Sequence, residues 1–499
     1  MQVNKPVREV VILGGGTAGW ISASLLVKLL GKSIHITLVE SDEIGIVGVG
    51  EATIPPIMTF NAALGIDEKA FVRATKGTIK LGIEFENWRQ IGDRYMHAFG
   101  SIGKEFPSCN FHHFWVRSQK LGMPYDFWDF SLGYQAAVQH KFGHLAKIDG
   151  VNLPGLSYAY HFDAGLYAQF LRQFSENLGV RRIEGKVSQV LRHADSGDVA
   201  TLVLQNGQQV HGDLFIDCSG LHALLIEKTL NTGFEDWSHW LPADSALAVP
   251  CASVEPITPY TKSIAHAKGW QWRIPLQHRI GNGFVYSSKY CSDEEAKATL
   301  LANLDGEPLA EPRKISFKTG RRRKQWSHNV VSIGLSSGFL EPLESTSIHL
   351  IQSGVLRLLK FFPNNGISPA MRDEFNRLSQ IEFEQIRDFI ILHYKQNERT
   401  DSQYWLDCAR MDVPETLRRK MAMFRDTGMV QREQDELFAE IAWQQVMIGQ
   451  GVIPADYHSM ANAIDETALK ELLDNLKAVM QVTVNRLPPH QDFIDFCVR

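Results

Sequence analysis

Apolar residues first concentrate in Glu9 to Leu13, a run that ends in Gly14-Gly15-Gly16. They then recur at Ile21, Leu25, Leu26 and Leu29, the spacing of one helix face, and Gly31 is the expected stop. Ile34 to Val39 is a second β-rich run. The pattern predicts a strand–helix–strand unit, which implies parallel pairing. Residues of about 45–65 read as a Gly- and Pro-rich loop, and Lys69 to Phe85 is mixed. The stretch of about 88–160 is aromatic and irregular. Ala164 to Leu178 reads as a helix. Arg181 to Leu204 and Leu214 to Ile216 read as strands broken by turn residues such as Asn206-Gly207. Residues of about 245–290 alternate in β fashion, Val330 to Gly334 is a buried strand, and Ile348 to Phe361 is a helix. After Ser368-Pro369, a cap and first-turn pair, the pattern becomes helical. One helix reaches Tyr394, and another starts near Pro414, buries Leu417, Met421 and Phe424, and stops at Gly428. No internal repeat or low-complexity segment interrupts this order.

Composition narrows the class. The 499 residues, 44% hydrophobic and 21% charged, are those of an ordinary globular chain of two or three structural units. A net charge of −5 argues against nucleic-acid binding. The six cysteines are scattered, with no metal knuckle and no Cys-x-x-Cys pair, as expected in a reducing compartment. The opening MQVNKPVREVVILGGG lacks signal-peptide features and no apolar run is long enough to span a membrane, so a cytoplasmic protein with no membrane association is expected.

Four segments carry candidate chemistry. Gly14-x-Gly16-x-x-Gly19 follows a strand and opens a helix, and Glu40 ends the second strand 21 positions after Gly19. That is the context of a dinucleotide site. Gly14 permits the turn, Gly16 lets a pyrophosphate approach the backbone, Gly19 lets helix and strand pack, and Glu40 can accept from a ribose. Thr17, Ala18 and Trp20 belong to the same loop and helix start. A unit at the very N-terminus of so long a chain suits FAD better than NAD. Gly48-Val-Gly50-Glu-Ala52-Thr-Ile-Pro55 is a shaped loop able to strap a flat ring. Gly338 to Ser347 follows a strand ending at Gly334-Leu335 and leads into a helix start, a second anion-binding N-terminus, with Glu344 just before it. Trp270-Gln-Trp272-Arg-Ile-Pro275 places both tryptophans on one strand face. The basic run Arg321-Arg-Arg-Lys324 reads as a solvated turn.

These motifs, together and in this order, resemble the flavin-dependent halogenases of the tryptophan/indole halogenase family, from residue 10 or so to about 350, with looser similarity in the tail. The resemblance implies an α/β fold: an FAD-binding Rossmann body of the glutathione-reductase/aromatic-hydroxylase kind, with an inserted antiparallel sheet and a C-terminal helical lobe. Residues 1–369 would form that body with substrate-side insertions at about 85–160 and 225–310, and 370–499 the helical substrate-side lobe. The cofactors implied are FAD, used as FADH2, and a halide, chloride or bromide, which is oxidised with O2 to hypohalous acid. Lys80 matches the family's lysine, which binds hypohalous acid or forms a haloamine. Glu344 matches the residue that orients the halogen and takes the ring proton. Thr346 and Ser347 match the halide positions, the second of which is glycine in many members. Gly14, Gly16, Thr17, Ala18, Gly19, Trp20, Glu40, Gly50, Ala52, Gly334 and Leu335 would hold the flavin. Trp270 and Trp272 would form a barrier between flavin and substrate.

His97 and Phe99, in Tyr95-Met-His-Ala-Phe99, resemble the family's His-Pro-Phe segment, with Ala98 in place of proline; they and Trp443 would flank an aromatic substrate. The Tyr-Tyr…Glu cluster that clamps free tryptophan in the tryptophan-specific members is not found, which favours indole or a substituted indole. No second nucleotide fingerprint is present, so a separate NAD(P)H-dependent flavin reductase is the expected partner; a homodimer is left open. Two other readings stay open from the residues: an aromatic monooxygenase, and a non-catalytic flavin-binding protein.

Overall fold

The computed structural model describes residues 6–43 and 50–499. The chain forms two compact units, each assembled from three separated stretches. The first comprises residues 1–77, 162–244 and 316–384; the second comprises 78–161, 245–315 and 385–499. The 27-residue helix Pro369–Lys395, which begins where Pro369 was expected to start one, contributes to both.

The first unit is built on a six-stranded sheet. Its order is Trp326–Ser327, Val330–Ser332, Leu214–Asp217, β1 (Glu9–Leu13), β2 (His35–Glu40) and Arg181–Glu184. β1 lies parallel to both its neighbours, and only the edge strand Trp326–Ser327 runs antiparallel. This is the doubly wound arrangement that the strand–helix–strand opening predicts. Between β1 and β2 runs α1 (Thr17–Leu30), which begins four residues earlier than the apolar spacing suggests and ends at Gly31 with φ +55°. Cross-strand apolar residues such as Val11, Leu13, Val39, Phe215 and Val330 form one core cluster with Leu202 and Ile226.

The second unit is built on a seven-stranded sheet in the order Arg313–Ser316, Ser245–Cys251, Ile280–Tyr286, Gly269–Pro275, Thr261–His266, Gly82–Glu86 and Arg94–Ala98. The expected antiparallel pattern holds except where Thr261–His266 pairs parallel with Gly82–Glu86. Every residue of Ile280–Tyr286 is buried. Trp272 lies opposite Gly283, and a β-carbon there would sit 2.0 Å from its ring. Gly283 is therefore the space into which the tryptophan packs. The five helices after residue 400 belong to this unit.

Several elements depart from the sequence pattern. The stretch around 45–65 contains the helix Pro56–Leu64, which Pro56 begins and Gly65, at φ +72°, ends. The aromatic stretch of 88–160 contains the helices Phe111–Lys120 and Leu132–Val138 and the strand Arg94–Ala98. Arg321 and Arg322 are not in a solvated turn. They end the strand Gly320–Arg322 and are largely buried, with Arg321 on Glu235 at 2.7 Å and Arg322 on Glu227 at 3.0 Å. All six cysteines are buried and none forms a disulfide. Among the described residues no helix is long and apolar enough to cross a membrane, and no cluster of metal-ligating side chains occurs.

Helix Phe111–Lys120 carries a buried histidine pair. His112 donates from Nε2 to the Gly428 carbonyl at 2.6 Å, while His113 accepts the His458 N–H at 3.2 Å. Burial, with the neighbouring histidine's charge second, pushes His112 down to about 3 and His113 down to about 4. Both are neutral in the fold, whereas the unfolded chain takes up protons near pH 6.5. Stability contributed by their neutrality is therefore full above about pH 6.5, falls as pH drops toward 4, and levels off below the folded values. Urea midpoints of the wild type should decline across that window, and His113→Phe should decline less steeply. Separately, Gly283→Ala should cost about 1–3 kcal/mol through overpacking against Trp272, read as a lowered thermal midpoint.

Candidate active site

In the first unit the Gly14 loop joins β1 to α1. Gly14 sits at φ +112°, and a β-carbon there would lie 2.2 Å from the Cys218 carbonyl oxygen. At Gly19 it would lie 1.8 Å from the Gly14 oxygen, so strand, loop and helix approach as the fingerprint requires. At Gly16 a β-carbon meets nothing within 4 Å, and no side chain caps the helix that Gly16 begins. The loop thus leaves an open cradle over backbone N–H groups and the positive end of a helix dipole. Thr17 and Ala18 are half-buried beside it, while Trp20 lies inside α1 and is 1% exposed.

Glu40 ends β2 against this loop. A β-carbon at Gly15 would fall 1.4 Å from its Oε2, so the middle glycine, not part of the spaced motif, is the one that makes room for the carboxylate. Its Oε1 accepts from Arg182 and faces Arg172 at 3.7 Å. A steric cradle, an uncapped helix N-terminus and a carboxylate at the strand end fit the pyrophosphate and ribose of FAD.

Gly334 and Leu335 open the turn Gly334–Ser336 beside the start of α1. Gly334 has φ +73°, and a β-carbon would lie 2.8 Å from that of Ala18. Gly50 and Ala52 lie in the strand Gly50–Ala52; Gly48 of the strap motif is outside the described residues. Between them stands Glu51, which the sequence pattern did not single out; burial raises its carboxyl to about 7. The turn Pro342–Glu344 leaves Glu344 fully buried, and Ser345 takes a left-handed φ of +58°. Thr346, 1% exposed, then begins the helix Ser347–Lys360, which again has no side-chain cap. Ser347 is the first residue of that helix.

The second unit holds the other candidates. Lys80 ends the strand Thr78–Lys80 and is fully buried, with its Nζ 5.4 Å from the Phe99 ring centre. His97 and Phe99 lie at the end of the strand Arg94–Ala98, their rings 6.4 Å apart. Trp443 lies on the helix Glu440–Gly449. Phe389, on the helix Pro369–Lys395, joins these groups, with its ring 5.7 Å from His97 and 4.8 Å from Trp443. Gln445 fixes the two walls together: its amide accepts from the Ala98 N–H at 3.0 Å and donates to the Ala98 carbonyl at 3.1 Å. A paired backbone contact between His97 and Phe99 holds both rings at a set height, and the signal for it was a polar residue on an otherwise buried helix.

Trp270 and Trp272 share a strand with rings 6.2 Å apart. Trp270 packs on Trp88, and the Trp272 Nε1 is buried with no hydrogen-bond partner.

Comparison with known proteins identifies the family. The family model described as tryptophan halogenase matches residues 9–466. The tryptophan 7-halogenase RebH of Lentzea aerocolonigenes is 35% identical over 84% of this chain and 82% of its own. Among solved structures, Xcc4156, a flavin-dependent halogenase from Xanthomonas campestris, superposes with a TM-score of 0.96 at 50% identity, covering 99% of this chain and 98% of its own. BrvH, a flavin-dependent halogenase from Brevundimonas sp. BAL3, gives 0.95 at 42% identity, covering 99% of both chains. The chain belongs to the tryptophan halogenase family and is a flavin-dependent halogenase, an enzyme of the FAD-binding Rossmann class.

The cradle yields a prediction. Because a β-carbon at Gly16 meets no protein atom, Gly16→Ala should keep the apoprotein's thermal midpoint and yet weaken FAD binding by roughly tenfold or more through intrusion on the phosphate space. Flavin fluorescence titration measures the affinity, and unchanged binding would show that no phosphate approaches this glycine.

Proposed function

We propose that the protein halogenates an indole or a substituted indole, using chloride or bromide, O2 and FADH2 delivered by a separate NAD(P)H-dependent reductase. The observation that carries the reading is Lys80: its amine is removed wholly from water and set against an aromatic ring. Burying a lysine is costly, and a role in surface charge would not require it.

Bound FADH2 would supply the reducing equivalents with which O2 converts halide to hypohalous acid. The chain's own groups do the rest. The backbone N–H groups at Thr346 and Ser347, left without a side-chain cap, suit a halide ion. A side chain at position 347 leaves those backbone donors in place. Lys80 holds the hypohalous acid by hydrogen bonding, or takes its halogen as a neutral amine, and presents it to the ring. Glu344 accepts the proton released when the carbon–halogen bond forms. Trp270 and Trp272 act as a wall that keeps the flavin from reacting directly with the arene. His97, Phe99 and Trp443 orient the substrate by their faces, since aromatic rings favour offset or edge contacts.

Lys80→Ala should abolish halogenation while leaving FAD affinity unchanged. Glu344→Gln should lower kcat by roughly 10²–10⁴, the usual contribution of a positioned general base. The assay supplies FAD, a reductase, NADH and either halide, and reads the halogen isotope pattern of an indole panel by mass spectrometry. Halogenation surviving in Lys80→Ala would overturn the assignment. Oxygenated product formed without halide would point to a monooxygenase.

A further inference from the structure

The aromatic wall of the second unit contains one ring that no motif marks. Phe438 lies between the helices Glu415–Thr427 and Glu440–Gly449 and is 5% exposed. Its ring stacks on Phe389 with centres 3.8 Å apart and planes 21° apart, and it lies 6.1 Å from His97. Phe389 therefore carries Phe438 on its face and Trp443 at its edge, the latter at 4.8 Å and 78°. Ala439 is the N-cap of the next helix, so Phe438 and Trp443 occupy the two positions of a hydrophobic staple. That local role anchors Phe438 in place.

The charges around these rings are engaged with one another. Lys420 lies 4.2 Å over the Trp443 ring and donates to both carboxylate oxygens of Glu436, at 2.7 and 2.8 Å. Glu436, 1% exposed, also accepts from Trp443 Nε1 at 3.0 Å and from the Glu433 N–H at 2.8 Å. Arg387 donates twice to the Asp388 carboxylate, which also takes the Thr416 hydroxyl. An ammonium or carboxylate placed against Trp443 would have to break the Lys420–Glu436 pair, and the group left behind would be charged and unpaired.

We infer that Phe438 is the specificity-determining residue of this wall: its ring fills the face of Phe389 that a substituent on the arene would need, so the site takes a bare indole and resists one bearing an arm. This rests on the substrate reading above. Size and charge are separate filters in it. Phe438 imposes the first, and the Lys420–Glu436 pair imposes the second.

The test reads binding rather than turnover. Calorimetric titrations with indole, indole-3-acetamide and L-tryptophan are run on the wild type, Phe438→Leu, Phe438→Ala and Phe438→Tyr, each also in the Lys80→Ala background. In the wild type, indole should bind more tightly than either substituted probe. Phe438→Ala should shift the ratio of Kd values toward indole-3-acetamide by roughly tenfold or more, the usual worth of a change in apolar pocket size. Phe438→Tyr should leave that ratio alone. L-Tryptophan should not gain comparably in any variant, because its charges still lack partners. Should Phe438→Ala unfold with the staple lost, Phe438→Leu keeps an apolar group there and should move the ratio in the same direction. A ratio unchanged in both smaller variants, or a wild type that binds indole-3-acetamide as tightly as indole, overturns the inference. Indole binding without halogenation would instead sink the catalytic reading and leave the Kd ratios to judge Phe438.

Discussion

Among the described residues of the nucleotide unit, the helices that begin at Gly16, Pro55 and Thr346 have no side chain to cap them, and the proposed chemistry draws on the first and the last. A capped N-terminus spends its first N–H groups on a serine or aspartate, which stabilises a helix by about 1 kcal/mol. At Gly16 and at Thr346 no such side chain intervenes. At both places the donors and the positive end of the helix dipole are left without a side-chain cap. Asp67, Asp163, Ser292 and Asp465 cap other helices of the chain, whereas those that begin at Asn110, Pro414, Ala439 and Pro489 are also without a side-chain cap. Two of the uncapped starts, at Gly16 and Thr346, fall in the segments proposed to take ligands of negative charge, a pyrophosphate at one and a halide at the other.

The parts legible in the sequence were those with a local physical signature. The Gly14 loop was readable because turn, close approach and helix start each demand glycine at a set spacing. Helix Pro369–Lys395 was readable from its cap, its first-turn proline and its long apolar stripe. Helix Pro56–Leu64 was hidden because its prolines look like breakers until they are seen to begin the helix. Helix Phe111–Lys120 was hidden for a different reason. Its first eight residues are all buried, so no polar face marks the helical period. Arg321 and Arg322 were misread because a basic run gives no sign that acidic partners far back in the chain, Glu235 on a strand and Glu227 in a helical turn, will meet it.

Legibility of the site followed the same division. The candidates Lys80, Glu344, Thr346 and Ser347 came from the family resemblance that the contiguous motifs carry. Phe389, Phe438 and Gln445 came only from the structure, since their contacts join positions up to hundreds of residues apart. Gly15 and Glu51 fall between these cases. Each sits inside a motif already noticed, but its part is set by what touches it: a carboxylate pressed against Gly15, and a desolvating surrounding for Glu51.

Each compact unit draws on three stretches of chain that alternate along the sequence. On a ribosome, the nucleotide unit thus lacks part of its own body until residue 384 has emerged, and the aromatic unit stays incomplete to residue 499. Contacts of such long sequence separation make for slow, late-closing folding and expose unfinished sheet edges in the meantime. Truncation from the C-terminus should accordingly strip the aromatic unit before the nucleotide unit, whereas a cut near residue 200 leaves neither unit whole. For anyone transplanting substrate walls between relatives, the sensible unit of exchange is a matched set of three segments rather than a contiguous block.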